Sequence, residues 1–102
     1  MMTTRSKADS LLGRWLQVAT EDETVPGEIM TLTFTGDGKL VYCARKDGVA
    51  QIINLVYEVA GDTIISDQPS EPRIDHTKFW FETDDSLVLE YDGIPTWFRR
   101  EQ

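Results

Sequence analysis

The sequence is poor in the residues from which catalytic and metal centres are assembled, with one cysteine, Cys43, and one histidine, His76, in 102 residues. A single thiol excludes an internal disulfide, and one histidine with one cysteine cannot complete the ligand set of a structural zinc site. No metal and no cofactor are therefore expected. Positive charge is scarce too: 10 basic residues face 18 acidic ones, for a net charge of −8. Duplex binding needs a basic footprint that displaces counterions from phosphates. The only adjacent basic pairs, Arg45-Lys46 and Arg99-Arg100, lie among acidic residues. That field argues against nucleic acid and anionic membrane surfaces as partners, and it keeps the chain in solution. Long apolar runs are missing as well. Residues 1–7 are polar and no apolar run precedes Leu11, so neither a secretion leader nor a membrane span is expected, and a cytoplasmic location is. Sustained helical periodicity is also lacking. Only residues 6–12, with Ser6 placed to cap, read as a helical turn.

What is present is a cadence of short apolar or alternating runs. They cover residues 14–19, 29–35, 39–45, 51–60, 63–67, 74–83, 87–91 and 94–100. Between them stand Gly36-Asp37-Gly38, Asp47-Gly48, Gly61-Asp62, Asp84-Asp85 and Asp92-Gly93, with a proline-containing loop at residues 68–72. Glycine and aspartate suit such positions because hairpin turns need positive φ. This predicts an all-β domain of about eight antiparallel strands in an up-and-down meander, closed into a barrel. A two-sheet sandwich is the alternative. Residues 1–10 form a tail with the helical turn, and residues 11–102 the single domain.

Alternation sorts the faces. Met30, Leu32 and Phe34 share one side of the second run, and Leu40, Tyr42 and Ala44 continue it if the intervening turn keeps register. A two-residue turn at Gly61-Asp62 pairs Val59 with Ile64 and Tyr57 with Ser66, all inside. Phe79, Phe81, Leu87 and Leu89 complete the interior, leaving His76, Lys78 and Trp80 outside. In the last run the turn length decides between Trp97 with Arg99 and Phe98 with Arg100.

Leu12-Gly13-Arg14-Trp15, a helical turn running into Gly-x-Trp at the first strand, resembles the signature of the lipocalin (calycin) superfamily. The resemblance implies that Trp15 plugs one end of the barrel and that a basic residue of the last strand, Arg99 or Arg100, lies across its indole. It also implies that the loop at residues 20–28 stands where the superfamily carries a lid. Lipocalins proper are longer, so the nearer likeness is to compact bacterial lipocalin-like domains, many without an assigned activity. On this reading Gly13, Trp15 and the arginine are structural, since a guanidinium over an indole gains about 0.5–2 kcal/mol.

The candidate ligand-binding residues are the expected lumen side chains Phe34, Tyr42, Tyr57, Asp75, Phe79, Phe81 and Leu89, with Tyr91 beside them and Thr77 as a second polar handle. They suit a small apolar or amphipathic ligand. The competing reading is that these rings fill the barrel, which then works through its outer surface as a homodimer or protein-interaction module, with Trp80 as the hint. Glu21, Asp22, Glu23 and Glu28 would make a lid acidic and disfavour anionic ligands. An enzyme would need a strongly perturbed titratable group at the open end, and no residue identifies one. His76 and Asp75 fall on opposite faces and form no dyad, and Cys43 faces outward as an inert thiol.

Overall fold

A computed structural model describes residues 7–20, 29–70, 72–91 and 93–101. A short helix α1 (Lys7–Leu11) leads into strands β1 (Gly13–Thr20), β2 (Ile29–Phe34), β3 (Lys39–Lys46) and β4 (Val49–Ala60). Strands β5 (Thr63–Asp67), β6 (Ile74–Thr83), β7 (Ser86–Tyr91) and β8 (Ile94–Glu101) follow. Each strand is antiparallel to the next, and β8 returns to β1, so the sheet closes into an eight-stranded barrel. The sandwich alternative is thereby excluded. Among the described residues no helix is long and apolar enough to cross a membrane.

Turn chemistry sets the strand lengths. Asp47 and Gly48 both take positive φ, 51° and 78°, as the two-residue hairpin that matches strand twist requires. Pairing therefore runs right up to the turn, at Lys46↔Val49. The expected runs, 39–45 and 51–60, stopped short of it. Thr20 likewise ends β1 instead of opening the long loop. The proposed lid residues Glu21, Asp22, Glu23 and Glu28, and the proposed cap Ser6, lie outside the described residues.

Registers follow the expected faces. Phe34↔Leu40 and Leu32↔Tyr42 continue one face across the β2–β3 turn, and Tyr57↔Ser66 with Val59↔Ile64 flank the β4–β5 turn. Phe79↔Leu89 and Phe81↔Leu87 extend the interior, and Leu87↔Phe98 brings Phe98 into it. Trp15, Leu32, Phe34, Leu40, Ile64, Phe79, Leu87 and Phe98, with Leu11 from α1, form one buried core. Each large apolar side chain in it contributes about 1.5–3 kcal/mol relative to exposure. A bulge in β1 between Gln17 and Ala19 shifts its register on β8, and Val18 at that irregularity is exposed.

Two departures from a uniform barrel matter below. Val88 is completely buried yet belongs to the outer face, where it pairs with Trp80 on one side and Trp97 on the other. Its cross-strand neighbours on that face are the two tryptophans, so burial here does not mean interior. The second departure is a mismatch of strand length: β4 has 12 residues and β5 has 5. Their pairing begins only at Val56↔Asp67, whereas β3 accompanies β4 from Val49 onward.

Candidate functional site

The two ends of the barrel are built differently. At one end the chain leaves α1 through Gly13, whose φ of +116° is closed to most other residues. A Cβ there would also stand 3.4 Å from Arg100 Nη1. That strand start turns Trp15 into the barrel, where its Nε1 donates to the Leu11 carbonyl at 2.9 Å. The Arg100 guanidinium lies 4.3 Å from the centroid of the Trp15 ring. It donates to the carbonyls of Leu12 (2.9 Å), Ser10 (2.8 Å) and Asp84 (3.2 Å) and sits 3.3 Å from the Asp85 carboxylate. One side chain thus ties α1, β1, the β6–β7 turn and β8 together. Arg99 is exposed and lies in register with Leu16 and Ser86 on the outer face. Of the two arginines left open by the sequence, Arg100 is the one over the indole.

Above this plug aromatic rings pack across the lumen. Phe81 packs tilted against Trp15 at 6.1 Å and edge-on to Phe79 at 5.9 Å. Phe34 meets Tyr57 edge-on at 5.2 Å. The Tyr57 hydroxyl donates to the Thr35 carbonyl at 3.0 Å, which fixes β4 to the β2–β3 turn. Burial, aided by the negative charge of Asp37, pushes this phenol above its ordinary pKa. Its hydroxyl is thereby held as a hydrogen-bond donor to the β2–β3 turn.

Towards the other end the lining changes. Met30, Tyr42, Leu55 and Leu89 pack against the core but are only half-buried. Ala44 lies between Met30 and Gln51 in the same register row. At the rim Arg73, Asp75 and Tyr91 form a closed cluster. Arg73 Nη2 donates to the Tyr91 hydroxyl at 2.8 Å, and that hydroxyl donates to Asp75 Oδ1 at 3.1 Å. Arg73 Nε lies 3.2 Å from the same carboxylate oxygen, and the Asp75 charge holds the guanidinium pKa above its ordinary value.

Of the side chains picked from sequence, Phe34 and Phe79 lie deep in the core, and Phe81 and Tyr57 pack beside them. Tyr42 and Leu89 line the open half, and Asp75 stands at its rim. Tyr91, expected inside, is 44% exposed at the rim, where its hydroxyl meets Arg73 and Asp75. Arg73 was missed. Arg73 precedes the first residue of β6, Ile74, so strand alternation assigned it no face.

No protein-family model matches this chain. A search of curated proteins returns no match either. The reading of the site therefore rests on its own geometry. That geometry offers an apolar wall and one polar cluster at the rim. Among the described residues no group of three or more His, Cys, Asp or Glu side chains is placed to hold a metal ion. His76 is exposed on the outer face beside Ile65, and Cys43 pairs with Ile52 there.

Proposed function

We propose that the barrel binds one small apolar or amphipathic molecule in its open half, as a compact domain of the lipocalin-like kind. The observation that carries this reading is the contrast along the lumen. Trp15, Phe34, Leu87 and Phe98 at the plugged end are 0–2% exposed, whereas Met30, Tyr42, Leu55 and Leu89 point inward and are only partly buried. Apolar surface left uncovered inside a barrel is what a ligand would cover, and an eight-stranded barrel has room for one small molecule. The Arg73–Tyr91–Asp75 cluster would meet a hydrogen-bonding end, so a ligand with an apolar body and one polar terminus suits the lining best.

Native mass spectrometry of gently purified protein, followed by titration with the neutral dye Nile red, tests the reading. A bound mass of a few hundred daltons released on denaturation, or saturable dye fluorescence, is expected. Filling the open half with Ala44→Trp should weaken dye binding roughly tenfold or more, while Trp80→Ala on the outer face should not. Absence of both adduct and dye binding, or an Ala44→Trp chain that binds like the parent, overturns it.

A further inference from the structure

The upper part of β4 has hydrogen-bonding capacity and apolar surface that the barrel does not use. Tyr57 N–H donates to Gly38 on the β3 side at 2.9 Å. Because bonding direction alternates along an antiparallel strand, the odd-numbered residues of β4 bond towards β3. Ala50, Ile52 and Asn54 then direct their N–H and C=O groups to the opposite edge. There β5 supplies partners only from Val56 onward, and among the described residues nothing pairs with residues 49–55 on that side. The same stretch leaves Val49 71% and Ile52 59% exposed. It reads Val-Ala-Gln-Ile-Ile-Asn-Leu, without a charge or a proline. Proteins ordinarily protect an open edge with charged residues, proline or a bulge, and none of these devices is present here.

We infer that this edge is a dimerisation strand that pairs antiparallel with the same edge of a second copy, about a two-fold axis near Ile52. Three observations select the second copy. Antiparallel pairing of one segment with itself is isologous, so each edge satisfies the other and the assembly closes at two. The segment is uncharged in a chain of net charge −8, so two copies meet where their mutual repulsion is least. The pairing also carries the hairpin tip of each copy, where Arg45 and Lys46 outnumber Asp47, towards the end of β5 in the other, where Asp67 stands. A basic tip thus approaches an acidic strand end. The Trp80–Val88–Trp97 row is the other apolar feature of the outer face, but its centre is already covered, and its backbone is paired on both sides.

The inference is independent of ligand binding in the lumen. Sedimentation velocity of the full chain across a wide concentration range tests it. A monomer–dimer equilibrium is expected. Ile52→Lys places a charge on the edge, and Ala50→Pro removes an N–H that faces the second copy and not β3. Each should weaken association roughly tenfold or more with an unchanged far-ultraviolet circular dichroism spectrum. Trp80→Lys should leave association intact. A dimer that survives both edge variants, or one lost in Trp80→Lys, overturns the proposal. A chain that stays monomeric throughout also overturns it and leaves the edge to a strand of a different protein.

Discussion

Arg100 lies with its guanidinium over the indole of Trp15, while Arg99, the residue before it, faces solvent from the opposite side of the same strand. Neighbouring arginines of one strand therefore have unrelated tasks. Arg100→Ala removes the stacking and leaves the carbonyls of Leu12 and Ser10 without that donor, at a cost of roughly 2–4 kcal/mol. Trp15→Ala opens the plug and costs about 3–5 kcal/mol. Arg99→Ala should stay within about 0.5 kcal/mol of the parent. Urea denaturation of the three variants checks this, and equal losses for the two arginines would refute the assignment.

Tyr57 makes stability fall at alkaline pH. Burial first, and the charge of Asp37 second, raise its pKa above the ordinary 10.0. The folded chain therefore holds this proton more tightly than the unfolded one. The contribution is complete below the unfolded value and is lost as pH rises through the raised folded value. Tyr57→Phe should lose about 0.5–1.5 kcal/mol at neutral pH with its hydrogen bond to Thr35, and its stability should decline less steeply above pH 10. Denaturant melts at neutral and alkaline pH compare the two slopes; parallel slopes would count against the argument.

The tip of the β3–β4 hairpin is limited by backbone conformation rather than by space. Gly48 has φ +78° and nothing within 4 Å of where a Cβ would stand. Gly48→Ala should cost about 1–2 kcal/mol purely through the left-handed backbone. Asp47, at φ 51° without being glycine, should accept Asp47→Gly with a change of less than about 1 kcal/mol. Thermal unfolding separates the two, and a harmless Gly48→Ala would mean that the turn relaxes to another type.

Most of the barrel was legible because its determinants are local. Positive-φ turns at Asp47-Gly48 and Gly61-Asp62 punctuate alternating runs, and alternation alone orients Leu32, Phe34, Tyr57 and Phe79. The last strand was not legible in the same way. Whether Phe98 or Trp97 turns inward depends on where pairing with β7 starts, and the bulge near Val18 shifts the pairing with β1 once more. Burial was ambiguous at Val88, which is fully buried on the outer face between Trp80 and Trp97 in register. The rim cluster joins Arg73 and Asp75 to Tyr91, 16 residues beyond Asp75, and that meeting depends on the β6–β7 register, which sets Lys78 opposite Glu90. The unequal lengths of β4 and β5 were present in the run lengths, but which backbone groups they left unpaired required the register.

Closure by the last strand also has a temporal side. Arg100 donates to Ser10 across 90 positions of sequence, and β1 finds its second neighbour only in β8. During synthesis from the N-terminus, β1 waits with one open flank until residues 94–101 have emerged. Such distant pairing makes folding slow, because chain entropy must be lost before the contact forms. Until then the nascent chain is an incomplete sheet with two sticky margins, and the plug at Trp15 is the last part to set.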